Sequence, residues 1–197
     1  GCSSERGTLP GSGTLLRSGG GIVRDPWHDD SPRDECGVFA LYAPEMDVAR
    51  LTFFALFALQ HRGQESAGIA VTDGAKLIVH KEMGLVSQVF QEETLQSLPG
   101  RLAIGHVRYS TTGSSEMRNA QPFARTRDGS FIALAHNGNL VNTDELRASL
   151  LQNGHVFEST SDTEVIAALL AEHPSRDIRL ALRDVVPRLR GAFSAVL

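Results

Sequence analysis

The chain changes texture at Cys36, and that change decides which part of it can fold. The 35 residues before it hold seven glycines, three prolines and only scattered apolar side chains, Leu9, Leu15, Leu16, Ile22, Val23 and Trp27. A segment with so little clustered apolar surface cannot offset the entropy of ordering its backbone. Residues 1–35 are therefore expected to be a disordered leader. From Cys36 onward, apolar runs of strand and helix length alternate to the last residue. The 41% hydrophobic content of the 197-residue chain is enough for one compact domain over 36–197.

Cys36–Ala43 reads as a strand stopped by Ala43-Pro44, and Asp47 then caps a helix over Val48–Gln60. That helix is apolar almost all round, which predicts burial between layers. Gln60–Glu65 reads as a turn. Ala67–Thr72 and Lys76–Lys81 form a hairpin across Asp73-Gly74. Leu102–Tyr109 and Ser130–His136 are further strands, the second entered through Asp128-Gly129. Helices are expected from Asn142 to near Gln152, from Asp162 to near Glu172, and from Ile178 to Arg190, the last kinked or ended by Pro187. Gly191–Leu197 is a final strand. Strands in runs, with helices grouped around them, favour stacked antiparallel sheets covered by helices over a doubly wound parallel sheet.

A net charge of −4 and a pI near 6.0 argue against a nucleic-acid binder and for a small-molecule substrate. No stretch has the length of a membrane span or the apolar core of a secretory signal, so a cytoplasmic protein with no membrane partner is expected. Two cysteines, one of them in the leader, make no disulfide framework. Gly19-Gly20-Gly21 follows no strand and precedes no Lys-Ser/Thr pair, so it is not a phosphate loop. The histidines show no metal-ligand spacing with acids or with Cys36, and no metal is expected. His61, His106 and His136 read as loop-orienting residues, His80 and His155 as surface residues.

Four islands place polar or glycine residues where strands hand over to loops: Cys36-Gly37, residues 105–113, His136-Asn137-Gly138-Asn139-Leu140, and Thr160-Ser161-Asp162. Each alone has a plain reading. Cys36 could be a small buried hydrophobe, Asn137-Gly138 a turn, and Asp162 a helix N-cap. Arg108 is harder to set aside, because a guanidinium at the end of an apolar strand needs an anion and binds carboxylate in a bidentate manner. Cys36 also has a second possible handle. If it were the first residue of a chain, its α-amino group, of pKa about 7.7–8.0, could act as its own general base. Together the islands suggest a substrate with a carboxylate and an amine.

Cys36-Gly37-Val38-Phe39, the segment 60–68 (QHRGQESAG), Arg108-Tyr109-Ser110-Thr111, Asn119-Ala120-Gln121-Pro122-Phe123, His136-Asn137-Gly138-Asn139-Leu140 and Thr160-Ser161-Asp162 follow one another in the order of a class II glutamine amidotransferase domain. The chain from Cys36 to Leu197 resembles such domains of the N-terminal nucleophile type, and most closely the glutaminase half found in amidophosphoribosyltransferases. The resemblance implies an α+β fold, a four-layer αββα sandwich of two stacked antiparallel sheets, truncated here at the carboxyl end. It implies Cys36 as nucleophile once the leader is removed, and an oxyanion hole from Asn137 and Gly138. Arg108, Asp162 and Thr111 would bind the glutamine substrate, supported by Arg62, Gly63 and Tyr109.

The same resemblance implies phosphoribosyl diphosphate as the ammonia acceptor, handled by a phosphoribosyltransferase half absent from this chain. Magnesium, and in some relatives a 4Fe-4S cluster, would belong to that half, leaving no cofactor in this one. Full-length members would be homo-oligomers. Ala40 departs from the pattern, standing where the family's opening motif has glycine. Two other readings stay open at this point: the glutaminase domain of a glucosamine-phosphate synthase or asparagine synthetase type of enzyme, and an unprocessed glutamine-binding pseudoenzyme.

Overall fold

A computed structural model of the chain describes residues 36–109, 116–127 and 129–197. The expected leader and Thr111 lie outside the described residues. Within them the strands are β1 (Gly37–Tyr42), β2 (Ser66–Thr72), β3 (Leu77–Met83), β4 (Leu102–Arg108), β5 (Phe123–Arg127), β6 (Ser130–Leu140) and β7 (Gly191–Val196). The helices are α1 (Val48–Ala58), α2 (Val86–Val89), α3 (Glu92–Gln96), α4 (Thr143–Gln152), α5 (Asp162–Ala171) and α6 (Ile178–Val185). Two antiparallel sheets result, one in the order β1-β4-β2-β3 and one in the order β5-β6-β7.

Alternation along the strands sorts their side chains into three apolar layers. Ala67, Ile69 and Val71 of β2, with Ala103 and Val107 of β4, pack against Val48, Ala49 and Leu56 of α1 and against α2 and α3. On the other face of the same sheet, Ala70 and Ile104 meet Ala135 of β6. Beyond the second sheet, Leu134 and Leu140 pack on α4, α5 and α6 through Leu146, Leu150, Val165 and Ala181. The layers therefore run helix, sheet, sheet, helix, the αββα sandwich. Side chains as deeply buried as Leu56, Ile69 and Val71 each contribute roughly 1.5–3 kcal/mol. Gly68 of β2 lies close under the segment that leads into β5, where a Cβ would lie 2.0 Å from the Gln121 carbonyl oxygen.

Several local expectations need correcting. α1 is not enclosed between layers. It is an outer helix whose buried residues are Val48, Ala49, Thr52 and Leu56, while Phe54 and Phe57 are more than half exposed. β6 does not stop at His136 but continues through Asn137-Gly138-Asn139-Leu140, paired with β7, so that Asn137-Gly138 is strand and not turn. The segments forming β5, α2 and α3 went unread as elements. Helix α6 stops at Val185 and tightens into a 3₁₀ turn over Val186–Arg188, as Pro187 requires. His80 and His155 are half-buried, His155 held by Glu172 through its Nδ1 at 2.5 Å. No described helix is long and apolar enough to cross a membrane.

Candidate active site

Cys36 stands just before β1, and the pairing of Gly37 with Val107 brings Arg108, the last residue of β4, and Tyr109 after it to the same end of the sheet. The Tyr109 amide donates to the Cys36 Sγ at 3.4 Å, and the thiol donates to the Tyr109 carbonyl at 3.5 Å. The Cys36 carbonyl oxygen accepts Asn137 Nδ2–H at 2.7 Å and Arg62 Nε–H at 3.4 Å. Asn137 lies on β6, so these contacts tie the first strand of one sheet to the middle strand of the other. Burial pushes the Cys36 thiol above its ordinary pKa, outweighing the Tyr109 backbone hydrogen bond and the charge of Arg108, which pull it down. The resting thiol is protonated at neutral pH, and nucleophilic work by it requires a base.

A cavity of about 280 Å³ opens beside the thiol, with Arg108, Tyr109, Asn119, Gln121, Gly138, Thr160, Ser161 and Asp162 in its wall. That size sits at the small end of ligand sites, about 300–1,000 Å³, and suits a metabolite as small as an amino acid. Gly138 also borders the cavity, in a conformation that demands glycine. Its φ is +136°, and a Cβ there would lie 2.3 Å from the Ala192 carbonyl oxygen on β7. Gly63 presses the 60–65 loop onto the end of β4, where a Cβ would come within 2.7 Å of the Arg108 backbone. The Gln60 side chain pins the same loop by donating to the Gly63 carbonyl at 2.7 Å and accepting the Val86 N–H at 2.6 Å.

The cavity wall carries one cation and one carboxylate of interest. Arg108 is only 8% exposed, and its Nη1 donates to the Glu65 carboxylate. Asp162 is not the cap that its sequence context suggests. Ser161 is the N-cap, its Oγ accepting the Thr163 N–H at 3.2 Å, and Asp162 opens the first turn of α5. One of its oxygens accepts the Leu140 N–H at 3.0 Å, and the other lies 3.6 Å from His136 Nδ1. Of the expected site residues, Cys36, Arg108, Tyr109, Gly138 and Asp162 border this one cavity. Asn137 and Arg62 hold the Cys36 carbonyl, and Gly63 backs Arg108. Thr111 lies outside the described residues.

Sequence reasoning missed Glu65, Asn119 and Gln121. Glu65 is visible only through the register that sets Ser66 opposite Arg108, because a nearly buried guanidinium demands a counter-charge nearby. Asn119 and Gln121 sat in a recognised motif without an assigned role. Asn119 Oδ1 accepts from the Thr160 amide at 3.1 Å and its hydroxyl at 3.2 Å. Gln121 brackets His136 by accepting its N–H at 2.8 Å and donating to its carbonyl at 3.1 Å. His106, fully buried on β4, lies 3.2 Å from that same carbonyl through Nε2, and burial holds its pKa down to about 3. It is therefore neutral and donates. Among the described residues no group of three His, Cys, Asp or Glu is placed to hold a metal ion.

A family model described as a glutamine amidotransferase domain matches residues 106–197. The chain is 56% identical to an amidophosphoribosyltransferase of Synechococcus elongatus over 171 residues, covering 85% of this chain and 34% of that protein. It is 52% identical to that of Mycobacterium leprae over 180 residues, covering 87% of this chain and 32% of the relative. Among solved structures, the glutamine phosphoribosylpyrophosphate amidotransferase from B. subtilis, complexed with ADP and GMP, superposes with a TM-score of 0.73 at 40% identity, covering 80% of this chain and 34% of that one. The chain thus spans about a third of the length of the relatives it matches. With two stacked antiparallel sheets, a thiol at the mouth of a polar cavity and this degree of identity, the chain belongs to the glutamine amidotransferase family, as the domain of that kind carried by amidophosphoribosyltransferases.

Proposed function

We propose that this domain hydrolyses the side-chain amide of glutamine with Cys36 as nucleophile. The ammonia would pass to phosphoribosyl diphosphate in a part of the protein outside this chain, giving 5-phosphoribosylamine, the first committed intermediate of purine synthesis. The observation that carries this is the meeting of a thiol, a guanidinium and a carboxylate on one small cavity. Arg108 has five N–H donors and one carboxylate oxygen takes only part of them, which leaves donors for the α-carboxylate of glutamine. Asp162 takes the α-ammonium, and Thr111 is a further contact. Cytoplasm is the fitting compartment, because a nucleophilic thiol stays reduced there. Magnesium, and a cluster if there is one, would be held outside this chain.

In this reading residues 1–35 are removed and Cys36 becomes the first residue. Its α-amine accepts the thiol proton, Sγ attacks the amide carbon, and the proton is handed to departing ammonia. Water then hydrolyses the thioester to glutamate. Asn137 Nδ2 carries two hydrogens, of which the Cys36 carbonyl takes one. The other, with the Gly138 N–H, meets the oxyanion. The test is glutamate release from glutamine. Cys36→Ala should abolish it, Arg108→Ala should raise KM by orders of magnitude, and Asn137→Ala should lower kcat by about 10²–10³ with KM within a few-fold. Hydrolysis persisting in Cys36→Ala would overturn the reading.

A further inference from the structure

The short segment before α5 supplies Thr160 and Ser161 to the cavity and leads directly into Asp162, yet it belongs to no ladder or helix. Its shape is set by side chains. The amides of Glu158 and Ser159 donate to the two oxygens of Glu164 at 3.0 and 2.7 Å, and the Ser159 hydroxyl adds a third bond at 2.6 Å. The Thr160 amide goes to Asn119 Oδ1 and the Ser161 amide to Ser159 Oγ. Arg147 takes the carbonyls of Ser159 and Ser161, each at 3.1 Å. Every backbone amide from 158 to 161 thus has a side-chain acceptor, in a place where an unpaired one would be costly.

Glu164 is the hub of this arrangement. Its side chain is fully buried, with the Arg125 guanidinium as ion partner. Burial alone would raise its pKa. The Glu158 amide, the two Ser159 donors and Arg125 more than compensate and keep it below the ordinary carboxylate value. Ionised carboxylates are rarely held in full burial unless every oxygen is occupied, and here both are. Glu164 lies behind the cavity wall, not in it.

We propose that Glu164 is a positioning residue for the ammonium side of the ligand site: its carboxylate fixes the 158–161 segment in the shape that presents Thr160 and Asp162 to the amino acid. This rests on the glutamine reading above. An amide in its place is a specific probe, because Glu164→Gln turns one acceptor into a donor that faces N–H and O–H donors and removes the nearer of the two carboxylates beside Arg125, the other being Glu158 at 4.0 Å. The displaced segment is covalently continuous with Asp162, and displacements near 1 Å at a binding group cost up to about 10²-fold.

The experiment compares two reagents for Cys36 in the same protein, with residues 1–35 removed so that Cys2 is gone and Cys36 is the first residue, read by intact mass. 6-Diazo-5-oxo-L-norleucine carries the α-amine and α-carboxylate of glutamine, and iodoacetamide carries neither. Glu164→Gln should raise the half-saturating concentration of the first about tenfold or more, with its limiting rate and the iodoacetamide rate within about 1.5-fold of the parent. Ser159→Ala removes one donor to Glu164 and the acceptor of the Ser161 amide while keeping the buried charge paired, and should shift the same quantity by about threefold. An unchanged half-saturating concentration in folded Glu164→Gln, or equal losses with both reagents, overturns the proposal. If Glu164→Gln does not fold, Ser159→Ala decides by the same criteria. A parent protein that reacts with iodoacetamide but is not labelled saturably by the glutamine analogue refutes the glutamine reading itself, and the positioning role with it.

Discussion

A buried thiol that keeps its proton is a weak nucleophile, and the whole chemistry of Cys36 turns on what removes that proton. Where Cys36 follows Glu35 in the chain, no base is bonded to Sγ among the described residues, only the Tyr109 amide and carbonyl. Its alkylation by iodoacetamide should therefore keep rising with pH past about 8.5, the value for an ordinary thiol. In a chain beginning at Cys36, the free α-amine should bring the same profile down to about 7.7–8.0. A rate already level at pH 7 in the longer chain would contradict the burial argument. At this scale much was legible: Cys36, Arg108 and Asp162 stand out by residue type and place at strand or helix ends. Glu65 did not, because only strand register brings it to Arg108, and the plain alternative for Asp162, a helix N-cap, fails because Ser161, also a good N-cap residue, takes that place.

Elements carry the site by ending in the right places. β1 begins and β4 ends side by side, next to Cys36 and Tyr109, and β6 runs past its expected end to bring Asn137 and Gly138 alongside. The hairpin at Asp73-Gly74 was legible because its turn chemistry is local, with Asp73 Oδ1 accepting from Ala75 and Lys76 at 2.8 Å. The continuation of β6 was not, because it depends on β7, some fifty residues later. Gly138 is where that dependence can be measured. Gly138→Ala meets both a φ of +136° and a carbonyl at 2.3 Å, and should cost about 3 kcal/mol or more in urea unfolding. Gly129→Ala has a φ of +79° but open space, and should cost about 1–2 kcal/mol. Equal losses at the two positions would mean that the β6–β7 contact is not tight. The apolar run of α1 misled for a related reason, since periodicity cannot say that Phe54 and Phe57 face outward when every face is apolar.

At the scale of the molecule, the two sheets meet through Ala70, Ile104 and Ala135 and through His106, whose Nε2–H donates to the His136 carbonyl across the interface. Folding depresses the His106 pKa from about 6.5 to about 3, so the unfolded chain takes up the proton first. This contribution to stability is complete above pH 6.5 and is lost as pH falls toward 3, by up to about 1.4 kcal/mol per pH unit. Urea unfolding at pH 7, 6 and 5 should show the decline before most carboxylates titrate, and His106→Gln should lessen it, leaving the share of His136, whose pKa burial also lowers; an unchanged slope would place the acid sensitivity elsewhere. The layered class was legible because strands in runs with flanking helices have few ways to bury both faces. The pairing order was not, since β4 lies between β1 and β2 through contacts far apart in sequence. The central claim joins all three scales: Cys36 becomes a nucleophile when it becomes a first residue. The most direct measurement is the intact mass of the protein species that hydrolyses glutamine. The account predicts a chain beginning at Cys36, and full activity in protein that still carries residues 1–35 would contradict it.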